Sequence, residues 1–86
     1  MYYVYILKSR QNGKLYKGFT RDLKVRLNEH NSGRSRYTKA FKPWDLIYYE
    51  AFMNKTDARR EELFLKSGKG KERLKYLLKT LLYEHK

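Results

Sequence analysis

The first half of the chain alternates short apolar runs with sharply polar breaks. Tyr2 to Leu7 is aromatic and β-branched, Asn12-Gly13 follows, and Leu15 to Thr20 resumes the run. That order predicts a strand, a tight turn and a returning strand. Thr20-Arg21-Asp22 then opens a helix with Leu23 and Leu27 four residues apart. Arg26 and His30 repeat that interval, so the two polar side chains form a row beside the apolar stripe. Gly33 is placed to close this helix in a left-handed cap.

Further on, the apolar run from Asp45 to Phe52 predicts a third strand, central and covered on both faces. Asn54 or Thr56 caps a second helix running to about Lys66, with Asp57 in its first turn. On that helix Ala58 and Leu65 mark the buried direction. Glu61 and Glu62 flank it on either side, and periodicity leaves both open. Ser67 to Lys71 reads as a basic, glycine-containing break. Leu74, Leu77, Leu78, Leu81 and Leu82 then form the stripe of a final helix. The expected architecture is α/β: one domain over residues 1–86, with a small three-stranded, mainly antiparallel sheet flanked by three helices.

Strand periodicity bears on two tyrosines. A hairpin loop with an even number of residues puts Tyr5 and Tyr16 on one face, and an odd loop separates them. With a four-residue loop from Arg10 to Gly13, Gly18 falls opposite Tyr5 and leaves room for its ring.

Charge narrows the choice of partner. Twenty-one Lys and Arg against nine Asp and Glu give a net charge of +12, which points to a polyanion. Five of the nine carboxylates lie between Asp45 and Glu62, so a metal ligand is sought there. Between Ser32 and Lys42 the chain carries Arg34, Arg36, Lys39 and Lys42 with Tyr37 and Phe41 between them and no acid. An extended loop of that composition tracks a phosphate backbone and offers rings for stacking. Lys17 and Lys66 are further candidate phosphate contacts. There is no cysteine, which excludes disulfides and thiolate zinc sites, and the apolar run ending at Lys8 is too short for a membrane span. A soluble, cytoplasmic protein without a membrane partner is expected.

Taken together, Tyr3-Val4-Tyr5, Tyr16-Lys17-Gly18, Asp22-Leu23, Arg26-Leu27, His30-Asn31 and Gly33 resemble the signature of the GIY-YIG nuclease superfamily, and most of all its small stand-alone bacterial proteins. The likeness continues through Tyr37-Thr38, Pro43-Trp44, Tyr48-Tyr49-Glu50, Ala58, Glu62, Leu65 and Lys66, about the first three quarters of the chain. Two positions depart from the pattern. Tyr3 stands where the family has a glycine, and Lys17 where it has an aliphatic residue.

The resemblance implies a divalent-metal-dependent DNA endonuclease. It chooses Glu62 over Glu61 as ligand of a single Mg²⁺ or Mn²⁺, a hard cation that prefers oxygen donors. It implies that Arg26 grips the scissile phosphate, that Tyr5 and Tyr16 orient or deprotonate water or position the phosphate, and that His30 relays protons or bonds to the phosphate. A tyrosine base needs a depressed pKa, and the surplus of Lys and Arg favours phenolate. All these residues are expected around one surface, acting on DNA that is branched or nicked, with RNA as another substrate. The competing reading is a non-catalytic DNA- or RNA-binding module, in which Glu62 is a salt-bridge partner of Arg59 or Lys66.

Overall fold

The computed structural model describes residues 1–83. Strands β1 (Tyr2–Ser9) and β2 (Leu15–Thr20) form the hairpin, followed by α1 (Leu23–Asn31), a short 3-10 turn (Lys39–Phe41) and β3 (Trp44–Phe52). Helices α2 (Lys55–Lys66), α3 (Gly68–Leu77) and α4 (Lys79–Tyr83) follow among the described residues.

The hairpin forms as its turn chemistry requires. Asn12 Oδ1 accepts from the Lys14 N–H at 3.0 Å, Gly13 takes φ +73°, and the Ser9 N–H donates to the Lys14 carbonyl at 2.9 Å. The loop is therefore Arg10 to Gly13, and Tyr5 pairs with Gly18 and Leu7 with Tyr16. Asp22 caps α1 through the Val25 N–H at 3.1 Å. At the other end Gly33 has φ +86° and the Arg34 N–H returns to the Glu29 carbonyl at 3.1 Å, the left-handed ending expected.

All strand pairing is antiparallel, in the order β2-β1-β3. The central strand is β1, with Val4 to Leu7 buried in succession, and β3 lies at an edge. This corrects the expectation of a central β3. Its run is rich in tyrosine, and the two neighbours divide between core and solvent: Tyr48 packs against the core whereas Tyr49 is 54% exposed.

Each sheet face has its own core. Val4 and Ile6 pack with Ala58, Leu65, Leu74 and Leu78 under α2 and α3. Tyr5, Leu7 and Trp44 pack with Tyr16, Leu23 and Leu27 under α1. Among the described residues four helices flank the sheet rather than three, because the final stripe divides at Leu78. Leu74 and Leu78 are buried and Leu82 joins the core, whereas Leu77 and Leu81 are 36% and 45% exposed. The segment Ser67 to Lys71 is likewise the start of α3 rather than a break: the Ser67 hydroxyl accepts from the Gly70 N–H at 3.2 Å. Gly70 is there for close approach, since a β-carbon would overlap the Phe64 carbonyl of α2.

Candidate functional site

Tyr5 and Tyr16 lie on the same sheet face, ring centroids 6.4 Å apart. His30 reaches both from the last turn of α1, its ring 5.8 Å from Tyr5 and 5.0 Å from Tyr16. The Tyr5 hydroxyl is 2.9 Å from His30 Nε2 and accepts from Arg26 Nε at 3.3 Å. On the far side His30 Nδ1 is 2.7 Å from Thr38 Oγ1. Tyr5, His30 and Thr38 thus form a buried chain of proton carriers, exposed by 2%, 0% and 1%. In one tautomer Tyr5 donates to Nε2 and Nδ1 donates to Thr38; in the other Nε2 donates to the Tyr5 oxygen, which also accepts from Arg26, and Thr38 donates to Nδ1.

Burial governs the titration of this cluster. It pushes the Tyr5 phenol up to about 12, outweighing the Arg26 hydrogen bond and charge, while Tyr16 and Glu62 add to the rise. The phenolate expected from the chain's positive charge is therefore not favoured at Tyr5. His30 is pushed down to about 4 by burial and then by the Arg26 charge, against the opposing pull of Glu29, and is neutral at physiological pH. Burial also works against the charge on Arg26, but the Glu29 carboxylate at 2.9 Å and the Tyr5 oxygen outweigh it and keep the guanidinium firmly protonated.

Two partners in this cluster escaped the sequence reading. Thr38 sits in the basic loop, where no periodicity marks a buried position. Asn31 stands in the sequence only as part of the His30-Asn31 signature, with no role attached. Its amide bonds twice to the Trp44 backbone, donating to the carbonyl at 3.0 Å and accepting from the N–H at 2.6 Å, which fastens α1 to β3. The Trp44 indole donates to the Thr38 carbonyl at 2.8 Å, so Trp44 is a core residue that also holds the proton chain in place.

The basic loop turns its small polar residues inward and its cations outward. Ser35 and Thr38 are buried, whereas Arg34, Arg36, Lys39 and Lys42 are exposed and Tyr37 is 80% exposed. The Ser9 hydroxyl donates to the Phe41 carbonyl at 2.6 Å and the Gln11 amide to the Lys42 carbonyl at 2.7 Å, pinning the loop to the hairpin turn.

Glu62 belongs to the other layer. Ala58 and Leu65 of the same helix pack on Val4 and Ile6, across the sheet from the tyrosines. Arg59 lies over the Phe19 ring at 5.0 Å, and Lys66 is close enough to Lys17 to repel its charge. Glu62 lies between them in sequence on α2, and its charge is felt by Tyr5 on the other face. The expected set therefore does not share one face, since the helix of Glu62 packs on the side opposite Tyr5 and Tyr16. Glu62 is 8% exposed, and its oxygens bond to Arg59 at 3.4 Å and Lys66 at 3.1 Å, so both expected ion pairs are present. Lys17 stands half-buried on this second face.

The chain matches the GIY-YIG catalytic domain over residues 1–76. It belongs to the GIY-YIG family. It is 42% identical over 76 residues to a UPF0213 protein of Streptococcus agalactiae, covering 87% of this chain and 85% of the relative. A UPF0213 protein of Bacillus pumilus is 40% identical over 77 residues, covering 88% and 78%. The solution NMR structure of a UPF0213 protein from Bacillus halodurans superposes with a TM-score of 0.55 at 38% identity, covering 90% of this chain and 85% of that one. The fold is accordingly that of the small UPF0213 GIY-YIG proteins. Where this chain has Tyr3 in place of the usual glycine, the ring meets Tyr49 edge-on at 6.1 Å and joins Arg21 and Lys24 around a depression of about 370 Å³. It lines the neighbourhood without displacing Tyr5.

Proposed function

We propose that this GIY-YIG domain is a divalent-metal-dependent DNA endonuclease, structure-selective or only weakly sequence-specific. The observation that carries this reading is that Arg26 and His30 both hydrogen-bond the Tyr5 hydroxyl while the Glu62 charge bears on the same phenol. Arg26 spends Nε on Tyr5 and Nη1 on Glu29, and its remaining N–H groups would grip a phosphate. Tyr16 is half-buried, and among the described residues its hydroxyl has no protein partner, which leaves it for the attacking water or the phosphate. Tyr5, protonated, orients Arg26 and is itself held by its hydrogen bond with neutral His30. Thr38 holds the imidazole at its other nitrogen.

The donor set bears on which metal fits. Among the described residues no group of three His, Cys, Asp or Glu converges, which is wrong for a closed all-protein cage. A single carboxylate fits Mg²⁺ or Mn²⁺, which complete their shell with water and substrate oxygens. Glu62 would hold the ion, which would supply charge stabilisation at the phosphate as the leaving oxygen departs. Arg59 and Lys66 now neutralise Glu62 and would turn to phosphate once the ion is bound.

The same two ion pairs favour a second reading, a non-catalytic DNA- or RNA-binding module in which Glu62 only orders the cations. Incubation of the purified protein with nicked, branched and supercoiled DNA, with and without Mg²⁺ or Mn²⁺, separates the two. Metal-dependent cleavage supports the enzyme. Binding with no cleavage under any divalent ion supports the module.

A further inference from the structure

A cleft of about 400 Å³ lies between the hairpin and the last two helices, on the sheet face opposite the tyrosines. Lys14 and Lys17 of the hairpin and Lys71 and Lys75 of α3 line it, together with Leu15, Leu82 and Tyr83. We propose that this cleft holds the phosphates and one base of an unpaired nucleic-acid strand continuing from the β2 edge. The inference rests on the nucleic-acid reading above and adds the kind of substrate that reading leaves open.

The charges are arranged for an anion. Elsewhere Arg10 is matched to Asp45, Arg26 to Glu29, Arg60 to Asp57, and Arg59 and Lys66 to Glu62, while the exposed cations of the Ser32–Lys42 loop, like those of the cleft, have no ion pair among the described residues. Among the described residues Lys14, Lys17 and Lys71 have no acidic partner, and Lys75 has only Glu72 at 3.6 Å. Lys17 holds its proton less tightly than an ordinary lysine because of burial and then because of Lys71 and Lys66. Only Lys17 of the four is half-buried, and gathering like charges around it costs free energy that a phosphate run recovers.

Size and lining select a single strand. A double helix is far too wide to enter 400 Å³, whereas one nucleotide with its phosphate fits. Leu15 and Leu82 pack against the core and give the cleft an apolar wall, and the Tyr83 ring, 60% exposed, offers a platform on which any base stacks. Position agrees with this. Lys17 immediately precedes Gly18 but points to the other side of the sheet, so a strand crossing the β2 edge passes from the candidate site into the cleft. The exposed cations of the Ser32–Lys42 loop lie against the same hairpin turn from the tyrosine side, where a duplex would rest.

The test is metal-free binding of a short blunt DNA duplex and of the same duplex with an unpaired oligothymidine tail. The parent should hold the tailed form about tenfold more tightly. Lys14→Ala/Lys71→Ala should bring the tailed-to-blunt ratio close to one and lower the salt slope for the tailed form. Tyr83→Ala should also lower the ratio but leave the slope unchanged. Both lysines are exposed, and Lys14→Gln/Lys71→Gln, checked by thermal melting, gives the same comparison with longer side chains retained. An equal affinity of the parent for both forms, or a double variant that keeps the full ratio, overturns the proposal while duplex binding still supports the broader reading. A parent that binds neither form overturns both.

Discussion

The phenol of Tyr5 lies over the bare backbone of Gly18, its partner across β1 and β2. A β-carbon on residue 18 would overlap the Tyr5 hydroxyl and ring. Gly18→Ala must therefore push Tyr5 away from Arg26 and His30 or open the strand edge. The expected cost is about 1–3 kcal/mol in urea unfolding. In the same variant, cleavage should fall by more than about tenfold, because a displacement of that size spoils catalytic geometry.

His30 gives the fold an acid-sensitive element. Its pKa drops from about 6.5 to about 4 on burial, so the unfolded chain binds the proton first. Stability from this group is fully present above about 6.5 and is lost as the pH falls toward 4. The loss should amount to about 1–3 kcal/mol, seen as a declining melting temperature over that interval. His30→Asn should flatten that part of the profile.

Glu61 carries the opposite dependence. Burial and the neighbouring Glu50 carboxylate push it up to about 7, and Arg73 opposes them. Glu50 Oε1 is buried with no hydrogen-bond partner among the described residues, consistent with two carboxylates that fold best with one proton between them. Because the folded pKa is raised, this contribution is present below about 4.5 and is lost as the pH rises through about 7. Glu61→Gln removes that penalty and should stabilise the protein at pH values above 7 by about 1 kcal/mol, after allowance for solvent screening, in chemical denaturation.

The arrangement of the tyrosines was legible because strand geometry is strict. A four-residue loop and a period of two leave no choice about which residues share a face, and the caps of α1 likewise follow from Asp22 and Gly33. Less legible was what depends on distant packing. The apolar run of β3 does not reveal that it is an edge, since tyrosines serve both sides of such a boundary. Gly70 looked like an interruption because a helix crossing close to Phe64 and Leu65 leaves no local trace. Thr38 was invisible as a partner of His30 for the same reason. The raised Tyr5 pKa came from burial, which a net charge of +12 does not report.

The basic loop should account for much of the electrostatic grip. Binding of duplex DNA is expected to weaken with salt at a log-log slope of roughly −4 to −7. Arg34→Ala/Arg36→Ala should make that slope shallower by roughly 2, with the loss spread evenly over DNA sequences. Both side chains are exposed, so the melting temperature should not change.

The central claim is the proposal that Tyr5, Tyr16, Arg26, His30 and Glu62 form a metal-dependent phosphodiesterase centre, and Glu62→Gln tests it most directly. The substitution keeps the volume of a side chain that is 8% exposed and removes its charge. Cleavage of supercoiled and branched DNA should be measured with Mg²⁺ and with Mn²⁺, beside the parent and with the fold verified by circular dichroism. The account predicts that cleavage falls by about two orders of magnitude or more. Metal-free DNA binding should persist or tighten, because one negative charge facing the phosphates has gone. A purified Glu62→Gln protein that cleaves as fast as the parent would contradict the account.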